Sequence, residues 1–153
     1  MRRTTTILAV VALMMMFSSG VALAAYEDSI TGTDQTDILS GTGRTEQIFG
    51  LGGGDRLHGG GGNDLVKGGQ GSDEIGDGLG RDTLYGGVGA DNLIGQGYDT
   101  SNDRFYGGGG NDTVQSRDVP AVKDTVSCGA GTDTVYADKA DVVSDDCERV
   151  KAW

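Results

Sequence analysis

Histidine, proline and tryptophan each occur once in this chain of 153 residues, and cysteine occurs twice. The single histidine, His58, lies far in sequence from Cys128 and Cys147, so no zinc ligand set of the usual Cys/His spacing is present. The same scarcity leaves Ser72, beside Asp73, without a placed general base. Basic residues are also few, 12 against 23 acidic, for a net charge of −11. Such a chain repels nucleic acid and anionic membranes and attracts cations. No GxxxxGK[ST] pattern occurs, so its glycine runs are not a phosphate-binding loop of that kind.

What the chain has in excess is glycine, 29 residues, well above the usual share of about 7%. The glycines fall on a nine-residue beat. It reads GGGGNDLVK at 59–67, GGQGSDEIG at 68–76, GGVGADNLI at 86–94 and GGGGNDTVQ at 107–115. With two three-residue insertions, around 98–101 and 119–122, the beat extends in both directions. Its sixth places are Asp37, Glu46, Asp55, Asp64, Asp73, Asp82, Asp91, Asp103, Asp112, Asp124 and Asp133. Its eighth places are Leu39, Ile48, Leu57, Val66, Ile75, Leu84, Leu93, Phe105, Val114, Val126 and Val135. At the chain's overall apolar share, that apolar column alone would arise by chance roughly once in 100,000. A flexible Gly-rich linker would place no such column.

The N-terminus reads differently. Arg2 and Arg3 precede an apolar run over 7–17, and Ala22-Leu23-Ala24 is a small-x-small cleavage site. This is the pattern of a secretory signal peptide over 1–24. An uncleaved membrane anchor is the rival, but the apolar core is short for a span and is interrupted by Ser18, Ser19 and Gly20. Arg2-Arg3 lacks a twin-arginine context, so the general secretory route is expected. Cleavage removes two positive charges and takes the net charge from −11 to −13. In a secreted chain the pair Cys128 and Cys147 most simply forms one disulfide, with two free thiols as the alternative.

The unit reads as a six-residue loop followed by a three-residue strand. Glycines let the loop turn tightly and present its carbonyls inward. The eighth residue points into a narrow core and its neighbours point out. Two units make one coil, so loops on the same edge stack at the strand spacing of about 4.8 Å. The acidic residues then fall into two rows. Asp37, Asp55, Asp73, Asp91, Asp112 and Asp133 share one edge, and Glu46, Asp64, Asp82, Asp103 and Asp124 share the other. Carboxylates so close are costly to leave ionised and unpaired. A hard cation between successive loops removes that cost, and Ca²⁺, with six to eight oxygens in forgiving geometry, fits better than Mg²⁺. Without the ion, glycine entropy and dense like charge oppose folding.

These residues resemble the haemolysin-type, or RTX, calcium-binding repeat family, from Gly32 to about Tyr136. The resemblance implies an all-β fold, a right-handed parallel β-roll (β-solenoid) of nonapeptide repeats. It implies several Ca²⁺ ions held by side chains of Asp55, Asp64, Asp73, Asp82, Asp91, Asp103 and Asp112, and by carbonyls of Gly59, Gly61, Gly68, Gly86, Gly107 and Gly109. The best sites are expected between Asp55 and Asp73, Asp64 and Asp82, and Asp73 and Asp91. Weak or absent ions are expected at the first two copies, where Gln35 replaces a loop glycine and Glu46 replaces aspartate, and before Asp124, where the stretch 116–123 lacks loop glycines and holds Pro120. The ending from Cys128 onward resembles the close of small secreted bacterial calcium-binding proteins, which implies a cap over 137–153 stapled by Cys128–Cys147, with Val143 and Val150 covering the open core. The repeats would then occupy 25–136.

Large members of that family lack an N-terminal signal and attach their repeats to a toxin, protease or lipase. Here the repeats fill nearly all of the chain, so no such activity is carried over. His58 sits at an outward ninth place, and no catalytic constellation is present. The expected function is a secreted calcium-binding module that folds on Ca²⁺ and serves a structural or interaction role outside the cell, without nucleic acid and without membrane insertion after signal cleavage. Alternatives are a calcium-dependent adhesin or envelope-matrix component, or an accessory subunit of a separate exported enzyme. Alternate ninth places on one sheet, Phe49, Lys67, Tyr85 and Tyr106, form an outward ladder that either stabilises the sheet or contacts a cell-surface glycan or protein partner.

Overall fold

The computed structural model describes residues 28–153. The expected signal segment lies outside them. The eleven apolar eighth places dictate the architecture. Each is buried, from Leu39 at 7% exposure to Ile48, Val66 and Val135 at 0%, in one continuous narrow core. A residue that points inward on a strand has neighbours that point out, and burial alternates accordingly along Glu46–Gly52, Leu65–Gln70 and Thr83–Val88.

Among the described residues fourteen strands form two seven-stranded parallel sheets facing each other across that core. One sheet stacks β1 (Asp28–Thr31), β3 (Glu46–Gly52), β5 (Leu65–Gln70), β7 (Thr83–Val88), β9 (Arg104–Gly109), β11 (Thr125–Ala130) and β13 (Val142–Val143). The other stacks β2 (Ile38–Ser40), β4 (Arg56–Gly61), β6 (Glu74–Leu79), β8 (Asn92–Ile94), β10 (Thr113–Gln115), β12 (Thr134–Ala137) and β14 (Arg149–Ala152). The chain alternates between sheets, so every second strand pairs in register: Ile48 with Val66, Val66 with Leu84, Leu84 with Phe105. This is an all-β parallel β-solenoid of about seven turns. Among the described residues no helix is long and apolar enough to cross a membrane.

Two details differ from the reading above. Several strands run six residues rather than three, and pairing continues into the glycine loop at its second and third places, as in Leu51 with Gly69 and Gly52 with Gln70. The glycines turn the chain without breaking the ladder, because the second and fourth places adopt positive φ: Gly60 at 101° and Gly62 at 116°, for example. Leu51, at 79°, is the one non-glycine residue at such a φ among those described. The ending is also arranged differently. Val143 packs against the core, but Val150 is 46% exposed and extends the ladder beside Val135 instead of closing it. Cys128 and Cys147 are joined, with a Cα–Cα distance of 5.2 Å.

The ninth-place ladder is present on the outer face, with Phe49, Lys67, Tyr85 and Tyr106 in register. Tyr85 and Tyr106 stack at 4.6 Å between ring centroids. The Lys67 ammonium lies 5.8 Å from the Phe49 ring and 5.3 Å from the Tyr85 ring.

Candidate metal centres along the two edges

The acidic sixth places occupy the turns that join the sheets. Their geometry repeats from coil to coil. On one edge the backbone N–H of Asp37 donates to Oδ1 of Asp55 at 2.8 Å, Asp55 to Asp73 at 2.8 Å, Asp73 to Asp91 at 2.8 Å, Asp91 to Asp112 at 2.9 Å and Asp112 to Asp133 at 2.7 Å. On the other edge Glu46 donates to Asp64 at 2.8 Å, Asp64 to Asp82 at 2.6 Å, Asp82 to Asp103 at 2.7 Å and Asp103 to Asp124 at 2.8 Å. The two rows are therefore the two expected from the sequence.

Each carboxylate thus spends one oxygen on the coil before it. The second oxygen is left over. Oδ2 of Asp55, Asp64, Asp73, Asp82, Asp91, Asp112 and Asp133 is buried and accepts no hydrogen bond from the described residues. A buried carboxylate oxygen without a partner is costly, and its recurrence in seven of the eleven repeat loops requires a common physical explanation. The surroundings supply it. A Cβ placed on Gly68 would collide with Asp73 Oδ2 and come within 2.6 Å of the Gly86 carbonyl oxygen. A Cβ on Gly86 would lie 2.5 Å from both Asp91 Oδ2 and the Gly107 carbonyl oxygen. The same convergence brings Asp55 Oδ2 to the Gly68 carbonyl at Gly50, and Asp64 Oδ2 to the Asp77 carbonyl at Gly59. The bare α-carbon of a first-place glycine opens a cradle where a carboxylate oxygen of one coil meets a carbonyl oxygen of the next. All donors are hard oxygens, the set that calcium takes.

The electrostatics agree. Burial raises the carboxyl of Asp82 to about 8, and those of Asp64 and Asp91 to about 6, with neighbouring carboxylates adding to the rise and backbone N–H donors opposing it. Asp73 and Asp112 are raised for the same reasons. A cation between the loops would relieve both the burial and the repulsion.

The first two loops are satisfied by their own threonines. Thr33 donates through N–H at 2.6 Å and through Oγ1 at 2.9 Å to Asp37 Oδ2, and Thr42 donates to both oxygens of Glu46. Gly59, Gly68, Gly86 and Gly107 direct their carbonyls into cradles of the preceding coil, at Gly41, Gly50, Gly68 and Gly86. Gly61 and Gly109 stand at third places; the Gly109 carbonyl accepts the Gly89 N–H at 2.7 Å, which leaves it one lone pair.

The family model of the RTX calcium-binding nonapeptide repeat matches in four copies, over 40–75, 77–97 and 99–116. The chain carries the RTX calcium-binding repeat. RTX nonapeptide repeats bind Ca²⁺, and the orphaned carboxylate oxygens and glycine cradles described above fit that ion. The RTX β-roll is a structural calcium-binding arrangement rather than a catalytic fold. No curated protein and no solved structure gives a significant match.

Three buried aspartates escaped the sequence reading. Asp77 occupies a first place, where other RTX units have glycine; Asp99 and Asp118 lie within or beside the two insertions. Both insertions fall on the edge of Asp82 and Asp103, where Asp99 Oδ2 accepts from the Gly80 N–H and Asp118 lies beside Asp124. Their apolar tips, Tyr98 at 81% and Val119 at 69%, are exposed while the aspartates beside them turn inward. The available signal was that each insertion brings one extra aspartate to the same edge.

Proposed function

We propose that this RTX β-roll is a secreted module that folds when it meets extracellular calcium, and that its role outside the cell is structural or interactive. The observation that carries this is the repeated buried Oδ2 beside a first-place carbonyl. Asp55, Asp64, Asp73, Asp82, Asp91, Asp103 and Asp112 would supply side-chain oxygens, and Gly59, Gly61, Gly68, Gly86, Gly107 and Gly109 main-chain oxygens. Bound calcium supplies positive charge to turns that otherwise bury unpaired negative charge. Because it binds the folded chain and not the unfolded one, stability rises with its concentration. Sites of extracellular modules commonly work at about 10⁻⁴–10⁻³ M calcium. The Cys128–Cys147 disulfide favours an oxidising compartment, and the acidic surface disfavours nucleic acid and anionic membranes. No catalytic role is proposed.

Far-UV circular dichroism during separate Ca²⁺ and Mg²⁺ titrations tests this. A cooperative gain of β signal with calcium alone is the expected result. A chain already folded in chelator, or still disordered at millimolar calcium, contradicts it. A second reading, contact with a cell-surface glycan or protein, draws on the aromatic face of Tyr85 and Tyr106. Replacing both with serine would abolish binding to cells if that face is the contact and leave it unchanged if the stack only stabilises the sheet.

A further inference from the structure

One group of carboxylates joins two repeat ligands to a residue outside the repeat pattern. Oxygens of Asp82, Asp99 and Asp103 lie within 4.8 Å of one another, and all three residues are buried. With calcium–oxygen distances of about 2.3–2.6 Å, oxygens up to about 5 Å apart can share one ion. Asp77, only 1% exposed, adds a fourth charge, which bears on Asp82, Asp99 and Asp103. Its Oδ1 is pinned by the N–H groups of Gly78 at 2.5 Å and Gln96 at 2.9 Å, while its Oδ2 has no partner among the described residues. Asp82 Oδ2 is likewise buried and unpartnered. Arg81 is the cation whose charge reaches Asp103.

Two departures from the repeat create this group. Asp77 stands where Gly50, Gly59, Gly68, Gly86 and Gly107 stand in other units. Asp99 replaces a neutral acceptor. Elsewhere a fourth-place N–H donates to a third-place carbonyl one coil on: Gly62 to Leu79 at 2.8 Å, Gly71 to Val88 at 2.8 Å, Gly89 to Gly109 at 2.7 Å. Here Gly80 donates to Asp99 Oδ2 at 2.8 Å, because the insertion has moved the carbonyl away and brought a carboxylate in. Both changes add negative charge at one place, which random drift in a solvated turn would not bury.

We propose that Asp82, Asp99 and Asp103 hold one calcium ion, with the buried Asp77 carboxylate as a fourth negative charge beside it, in a site richer in carboxylates than the other repeat sites, and that this site fills first as calcium rises. More charged ligands tighten calcium binding. The inference rests on the calcium-folding reading above, and its test separates the two. Calcium binding to the protein is measured by competition with a chromophoric chelator. The expected isotherm has one tight equivalent followed by weaker ones. The double variant Asp77→Gly/Asp99→Asn should weaken the tight equivalent at least about tenfold and leave the weaker phase in place. Glycine at 77 restores the residue of the other units, and asparagine at 99 retains an acceptor for Gly80. An isotherm unchanged by the double variant, or a wild-type isotherm without a tight equivalent, overturns the proposal while leaving calcium-driven folding intact. A wild-type protein that binds no calcium defeats both. If circular dichroism shows the double variant unfolded at saturating calcium, Asp77→Gly alone is measured, and an unweakened tight phase there overturns the proposal.

Discussion

The backbone N–H of Asp73 donates to Asp91 Oδ1 at 2.8 Å, and the other oxygen of Asp91 is buried without a partner. One carboxylate therefore does two things. It fixes the spacing of neighbouring coils, and it leaves at the Gly107 carbonyl an unpaired oxygen whose charge a bound cation or a proton must compensate. The two roles are separable by substitution. Asp91→Asn keeps the acceptor for Asp73 and replaces the orphan oxygen with a donor aimed near the Gly107 carbonyl. It should favour the metal-free fold, by about 1–3 kcal/mol, and raise the calcium midpoint severalfold. Chelator-state urea unfolding and a calcium titration, both by circular dichroism, measure the two effects. If stability and calcium affinity move together, the orphan oxygen is not a calcium ligand.

The titration of these groups gives a second prediction. In the metal-free fold burial, reinforced by neighbouring carboxylates, lifts Asp82 to about 8, Asp77 to about 7, and Asp64, Asp91 and Asp103 to about 6, all from 3.8. The folded chain thus holds protons that the unfolded chain has released. Stability is fully present below about pH 4 and is lost as pH rises toward 8, the reverse of ordinary acid denaturation. Calcium competes with the same protons, so its affinity rises across that window. In chelator, β signal should be stronger at about pH 4.5 than at about pH 8. The opposite trend would show that these carboxylates are not buried together without metal.

Much of this was legible beforehand because a period of nine with an apolar eighth place admits few folds. Val66 and Asp73 announce the core and the edge from their positions alone. Strand length was not legible. Gly69 reads as loop by composition, yet its peptide group pairs with Leu51 and Gly87 on either side. Asp77 was hidden by the expectation of glycine at its place. Asp99 was hidden because an insertion breaks the count, and only three dimensions show that its carboxylate stands in for a carbonyl. Val150 misled for a related reason: it continues the apolar column to the last strand, where no further coil covers it.

The cradle predicts that glycines at different places of the repeat differ in importance. A Cβ at Gly68 collides with Asp73 Oδ2 and crowds the Gly86 carbonyl, whereas one at Gly109 meets nothing within 4 Å. Gly68→Ala should raise the calcium midpoint sharply, and Gly109→Ala should change stability by no more than about 0.5 kcal/mol. Gly87→Ala tests the backbone itself. At φ 119° with the Gly69 carbonyl in the way, it should cost about 1–3 kcal/mol from strain alone, even at saturating calcium. Equal effects at all three positions would mean that glycine is used here only for flexibility.

The last turn offers a local probe. Cys147 lies between β13 and β14 and is tied to the buried Cys128, closing a sequence separation of 19. Asp146 adds to the tie, accepting from Ser127 Oγ at 3.0 Å, Cys128 N–H at 3.2 Å and Gly129 N–H at 3.0 Å. Beyond it, the single tryptophan, Trp153, packs its ring 5.3 Å from the Arg117 guanidinium. A bond closing a loop of this size contributes about 3 kcal/mol. Without it the last strands have little to hold them, since β13 spans two residues and every residue of β14 is exposed. Reduction at saturating calcium should lower the unfolding free energy by about 3 kcal/mol. It should also make the Trp153 emission change at lower urea than the β signal. Reduction that leaves both transitions coincident and unshifted would mean that the ladder alone holds the end of the roll, and that the disulfide adds nothing to it.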